Sequence, residues 1–150
     1  IVSQLFDNNN KIKALMIGDG LQREECLKKI KELDLEDVIT MTGFLDNPYE
    51  LLAKTKILCV TSNWEGFGLM AVEALAFGLP VVAADVGGLK NIIVDECGEL
   101  CKENEQFVHE IEKLLTNKSY YESKCMYARE RAEELDNVEE YMTKLNNIYQ

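Results

Sequence analysis

Residues 61–88, TSNWEGFGLMAVEALAFGLPVVAADVGG, constrain the fold of this chain more than any other stretch. The apolar run just before them, residues 57–60, is too short for a helix and reads as a buried strand. The chain leaves that strand at residues 61–65, and Gly66 and Gly68 then flank Phe67. Glycines at a strand-to-helix crossing permit positive φ and a close approach of backbone to a ligand. From about Phe67 onward, Leu69, Met70, Ala71, Val72, Ala74, Leu75, Ala76 and Phe77 are apolar nearly all round, which predicts a helix buried in its domain. Gly78 supplies the stop and Pro80 cannot continue the helix. Residues 81–84 then read as a second buried strand.

Glu73 is the odd member of that apolar helix, and a carboxylate in such a setting is paired or faces a polar ligand. Glu65 precedes the helix by a few residues and lies eight positions before Glu73. The first N–H groups of the helix, at residues 67–70, have no intrahelical partners and attract anions. The local arrangement is therefore an anion site with one carboxylate at its rim and another about two turns down. Carboxylates accept hydrogen bonds from hydroxyls, each contributing about 1.5–3 kcal/mol when desolvated. Phosphate beside hydroxyl-rich groups describes a nucleotide sugar. Each acid also has an ordinary explanation on its own: Glu65 as a helix-capping charge, Glu73 as a buried acid satisfied by backbone or lysine.

The remaining pattern alternates strands with helices. Residues 1–6 suit the last turns of a helix whose start and parent strand lie upstream. Strands are expected at 12–17, 38–42, 57–60, 81–84 and 99–101. Helices are expected at about 21–33, 48–54, 67–77, 89–94, 105–115, 118–135 and 137–149. Asp46 or Asn47 can cap the helix that Pro48 opens. Such an order means an α/β fold, a Rossmann-like parallel sheet with helices on both faces. Ligands of such sheets bind beyond the carboxyl ends of the strands. Gly18, in a Gly-Asp-Gly turn, Leu45, Glu65 and Gly87 all fall just after expected strands, so one sheet edge would gather them.

The formal net charge of −11 argues against nucleic acid or an anionic membrane surface as a partner, and it leaves an anionic nucleotide short of cations. No apolar run reaches the length of a membrane span. Five cysteines in scattered positions read as reduced thiols of a cytoplasmic protein. Cys97, Cys101 and His109 match no zinc spacing and lack a fourth ligand, so packing thiols are the better reading and no metal is expected.

Glu65-Gly66-Phe67-Gly68-Leu69, Glu73 and the following residues 74–83, with Val86-Gly87-Gly88, resemble the E-x7-E signature of retaining glycosyltransferases of family 4, which have the GT-B fold. The match is long and ungapped. The resemblance covers nearly all of the C-terminal, donor-holding domain of such an enzyme, with its first strand missing. It implies that Glu73 accepts hydrogen bonds from ribose hydroxyls and that Glu65 holds hydroxyls of the transferred sugar. It implies contacts from the N–H groups of Phe67, Gly68 and Leu69 to sugar and distal phosphate, Leu45 against the base, and Gly18 along the phosphates. The implied reaction is glycosyl transfer with retention, without metal or cofactor, commonly in bacterial polysaccharide or glycolipid assembly. The implied partners are a nucleotide-diphosphate sugar and an N-terminal acceptor domain of the same chain. The implied location is the cytoplasm, with the full-length protein able to sit at the inner membrane face.

This sequence departs from the family pattern in places. The family's paired basic residues, which clamp the diphosphate, lie upstream of Ile1. Lys90-Asn91 stand where Pro-Glu is common, and Gln22 follows Leu21 where Pro-Leu is usual. The last helix of the family tends to cross onto the N-terminal domain. The isolated 150 residues are expected to be inactive. Two other functions remain open on the sequence: another GT-B enzyme, such as a sugar epimerase or a phosphorylase, and a binding module without catalysis.

Overall fold

The computed structural model describes residues 1–8 and 11–136, and the expected helix at 137–149 lies outside them. The chain divides into two compact units, Ile1–Lys54 and Thr55–Gln150. The first contains α1 (Val2–Asn8), β1 (Ala14–Ile17), α2 (Arg23–Glu32), β2 (Ile39–Gly43) and α3 (Tyr49–Leu52). The second contains β3 (Leu58–Val60), α4 (Leu69–Ala76), β4 (Val81–Ala84), α5 (Leu89–Ile92), β5 (Gly98–Cys101), α6 (Asn104–Thr116) and α7 (Lys118–Leu135).

All pairing within the named strands is parallel, as alternation with helices demands. The parallel α/β order expected from the sequence holds in both units. β1 pairs with β2, and β3, β4 and β5 pair in that order.

In the first unit, Ile30, Leu35 and Val38 are buried, and Val2, Phe6, Ile12, Ile39 and Met41 pack on them. α2 ends where Asp34 takes a left-handed conformation, φ 53°. Leu35 N–H then donates to Ile30 C=O at 3.0 Å, which satisfies a carbonyl the helix end would otherwise leave open. The helix cap expected from Asn47 takes a different form: Asn47 Oδ1 accepts from Tyr49 N–H at 3.0 Å, and Pro48 itself is the N-cap residue.

In the second unit, β4 is the central strand, and Val81, Val82 and Ala83 are all fully buried. Side chains alternate across a strand, so burial of consecutive residues means cover on both faces. α4 and α6 both pack on β4, and α7 packs on both helices. Phe107, Ile111 and Leu114 form the buried stripe of α6. A capping box between Glu103 and Gln106 closes its start. Asn117 caps α7 by accepting from Tyr120 N–H at 3.1 Å.

The buried side of α7 carries a polar brace. Lys124, 5% exposed, donates to Asp95 C=O and to Gly98 C=O, the latter at 3.0 Å. Tyr120 Oη donates to the buried Glu110 at 2.5 Å. Arg131 donates to Ile92 C=O at 3.0 Å and Asn91 C=O at 2.6 Å, satisfying carbonyls at the end of α5. These bonds hold the β4–α5–β5 loops in place from behind.

Candidate functional site

α4 starts and stops as the glycines require. Gly68, at its N-cap, has φ +92°, a conformation rarely open to other residues. At the far end Gly78, φ 72°, donates to Leu75 C=O at 2.8 Å while Leu79 N–H donates to Ala74 C=O at 2.9 Å. That pair of bonds is a Schellman stop, and Leu79-Pro80 then lead into β4.

The two ends differ in how their polar groups are met. No side chain caps α4. Ala71 and Val72 N–H groups reach Gly68 C=O, whereas those of Leu69 and Met70 have no partner among the described residues. α6 and α7 close their starts with side chains. The start of α4 therefore keeps free donors at the positive end of the helix dipole.

Glu65 sits at this start. Its Cγ lies 3.6 Å from the point where a Cβ on Gly68 would stand, so the carboxylate arm folds over the helix opening. Glu65 and Glu73 are both half-buried, and neither is sealed in the core. Both acids thus keep part of their surface in solvent.

The double glycine holds this loop. A Cβ on Gly87 would fall 1.8 Å from Glu65 C=O oxygen, and one on Gly88 would fall 2.4 Å from that of Gly66 and 2.7 Å from that of Phe67. Gly88 N–H donates to Glu65 C=O at 3.1 Å. Two backbone segments here touch where no side chain fits. The sequence pattern places Gly87 at a strand tip and carries one sign of this role, the doubled glycine itself.

α4 corrects one expectation. It buries Ala71, Ala74 and Leu75, but Leu69, Met70, Ala76 and Phe77 are exposed, so the helix is apolar all round without being buried all round. Burial needs packing partners, and β3, β4, α5 and α7 cover only one side of it. β3 likewise buries Val60 while Cys59 is exposed.

In the first unit, Gly18 and Leu45 lie at the tips of neighbouring strands. Gly18 N–H donates to Gly43 C=O at 2.9 Å, and Leu45, half-buried, follows two residues later. Gly18, Asp19, Gly20 and Arg23 line a cavity of about 610 Å³ with Met16, Ile17 and Met41. α2 beside it also lacks a side-chain cap. Gly18 and Leu45 thus lie in the first unit; in the second, Glu65 meets Gly68 and Gly87, Phe67 meets Gly88, and Leu69 and Glu73 lie on α4.

Lys90, singled out as a departure from the family pattern, lies 3.1 Å from Asp85, and Lys102 lies 3.8 Å from the same carboxylate. Cys97 and Cys101 are core thiols. Burial pushes the Cys101 thiol up to about 11, which keeps it protonated and inert at neutral pH.

In parallel α/β domains ligands bind beyond the carboxyl ends of the strands, and the uncapped start of α4 follows the carboxyl end of β3. The glycosyl transferases group 1 family matches residues 1–134, and the chain belongs to that family. N-acetyl-alpha-D-glucosaminyl L-malate synthase of Bacillus anthracis is 31% identical over 140 residues, which are 91% of this chain and 37% of that protein. Lipopolysaccharide 1,6-galactosyltransferase of Escherichia coli is 37% identical over 86 residues, 54% of this chain and 24% of that one. The crystal structure of TarM superposes with a TM-score of 0.89 at 25% identity, covering 99% of this chain and 31% of that one. Anabaena HepE in complex with UDP shares the fold with a TM-score of 0.86 at 23% identity, covering 99% and 43%. The chain thus spans well under half the length of these relatives. The fold is that of GT-B glycosyltransferases.

Proposed function

We propose that these residues form the donor-binding, C-terminal half of a retaining family 4 glycosyltransferase. The rest of the enzyme, including an N-terminal acceptor domain, would account for the greater length of its relatives. The observation that carries this reading is the open start of α4: free Leu69 and Met70 donors, with Glu65 folded over Gly68 on a glycine seat. UDP in the HepE and TarM structures supports a nucleoside-diphosphate sugar as donor.

In the reaction the bond from the anomeric carbon to the phosphate oxygen breaks. An acceptor hydroxyl oxygen takes its place on the same face of the ring, and its proton leaves with the diphosphate. Negative charge grows on the departing oxygen, and preformed N–H donors at helix starts stabilise it without reorganisation. Glu73 accepts from ribose hydroxyls and Glu65 orients the transferred sugar. Leu45 flanks the base and Gly18 the phosphates. Phe67, Gly68 and Leu69 contribute backbone. The proposal includes no metal or cofactor, so transfer persists in chelator. No described helix is long and apolar enough to cross a membrane. The proposed setting is polysaccharide or glycolipid assembly in the cytoplasm, at the inner membrane face.

A donor screen on the full-length protein, with NMR of the product anomer, tests the reading. Transfer with retention is expected; epimerised donor or consumption of free phosphate would identify a different GT-B enzyme. Glu73→Gln is expected to weaken donor binding and Glu65→Ala chiefly to lower turnover, each by about 10- to 100-fold for a lost charge-assisted hydrogen bond. Parent-like behaviour of both variants would refute the site. The 150 residues alone are expected to transfer nothing, and calorimetry with nucleoside diphosphates would register any binding they retain.

A further inference from the structure

α5 is a single turn, Leu89–Ile92, and it begins at the residue after Gly88. A helix this short does not hold itself together, because nucleation costs more than its few bonds return. Its two buried side chains, Leu89 and Ile92, both reach the start of α4. A Cβ on Gly68 would fall 2.8 Å from Leu89 Cδ2 and 3.3 Å from Ile92 Cδ1. α5 thus presses on the N-cap of α4, while the two glycines before it seat the carbonyls of Glu65, Gly66 and Phe67. Close-packed interiors transmit strain, so a shift of α5 reaches both contacts.

A side chain of α7 fixes α5 from the other end. Arg131 Nε donates to Ile92 C=O at 3.0 Å, and its Nη2 donates to Asn91 C=O at 2.6 Å. The planar fork meets two successive carbonyls that the helix end leaves open, and its charge suits the negative end of the turn. The remaining nitrogen, Nη1, donates to Glu134 at 2.9 Å, which holds the guanidinium against α7. Lys124 lies about two turns earlier on the same helix and bonds the carbonyls of Asp95 and Gly98, past the end of α5. Neither of those residues is among the nearest neighbours of a Cβ on Gly68, Gly87 or Gly88.

We propose that Arg131 is a positioning residue for glycosyl transfer: by fixing α5 it sets Glu65 and the opening of α4 against the donor sugar. This rests on the donor-site reading above, in which Glu65 orients the transferred sugar. Arg131 acts through α5, not on the substrate. An ammonium in its place keeps the charge and loses the fork, so lysine is an incomplete substitute.

The test uses the full-length protein and reads UDP release from UDP-glucose, UDP-galactose and UDP-N-acetylglucosamine, well below the unfolding temperature of every variant. A displacement of about 1 Å can cost about 100-fold, so a partial shift in Arg131→Ala is expected to lower kcat about tenfold, with donor KM within about threefold of the parent. Arg131→Lys falls between the two. Lys124→Met, which removes the neighbouring brace, keeps kcat within about threefold while lowering stability. In a Glu65→Ala background, Arg131→Ala costs less than about threefold more, because residues acting through one another are not additive. A role in stability alone would lower kcat in neither single variant, or in both alike. The proposal is overturned if Arg131→Ala keeps parent kcat, if Lys124→Met loses as much, or if the double variant loses the product of the single losses. Should Arg131→Ala not fold, Arg131→Lys, alone and with Glu65→Ala, carries the same readings. These results leave the donor site standing so long as Glu65→Ala by itself lowers turnover. A parent-like Glu65→Ala, or no UDP release from any donor, removes that reading and this proposal with it.

Discussion

Replacing Gly87 by alanine tests the seat of Glu65 directly. The new Cβ would stand 1.8 Å from Glu65 C=O oxygen, inside the 3.0 Å that real Cβ contacts respect, so the two loops must part by about an ångström. The φ of +47° adds about 1–2 kcal/mol for an L residue in the left-handed region. Overpacking of this kind adds about 1–3 kcal/mol. The sum, roughly 2–5 kcal/mol, lowers Tm by about 5–15 °C for a chain of this size. The same displacement moves Glu65 against the proposed donor sugar, and a misplacement of about 1 Å can cost about 100-fold in turnover. Differential scanning fluorimetry and steady-state transfer rates of the full-length variant measure the two effects. Gly20→Ala is the stability control: nothing lies within 4 Å of its Cβ position and its φ is not in the left-handed range. Gly20→Ala should shift Tm by no more than about 2 °C. A Gly87→Ala protein within threefold of parent turnover would refute the claim that the glycine seat positions Glu65, whatever its Tm.

Two further outcomes are expected of the scaffold. Lys124→Met removes the donor to Asp95 and Gly98 carbonyls in a buried setting and should destabilise by about 1–3 kcal/mol in chemical denaturation; an unchanged midpoint would count against the brace. The Tyr120 phenol is held well above its ordinary value by burial, and by donating to Glu110. Burial likewise pushes Tyr121 up to about 12. A raised phenol pKa stabilises the folded state below the unfolded value of about 10 and loses that stabilisation as pH rises beyond it. Stability should therefore fall from about pH 10 upward, less steeply in Tyr120→Phe, as urea midpoints against pH would record.

Much of the local structure around α4 was legible because its signals are local. Gly68 takes the positive φ expected at the crossing and Gly78 ends the helix as read, though α4 starts at Leu69, two residues later than expected, because Gly68 is its left-handed N-cap. Strand β4 and helix α7 have the bounds expected of them, because a short apolar run between breaks and a long periodic one leave little choice. The apolar surroundings of Glu73 pointed to a deeper burial than it has, since composition cannot tell a covered helix face from an open one. The role of Gly87 and Gly88 was hidden for a related reason: the atoms they avoid belong to residues some twenty positions earlier.

Local order, then, belongs to the sequence. Steric limits on each φ, the period of apolar residues and the missing N–H of proline act between near neighbours, and they decided where helices and strands begin and end. The tertiary structure decided which faces are covered and which distant loops touch. It paired β1 with β2 and β4 with β3 and β5, left Trp64 and the outer side of α4 in water, and set Glu65 on a pair of glycines. Those outcomes depend on pairing and packing between segments far apart in the chain, which no local rule contains.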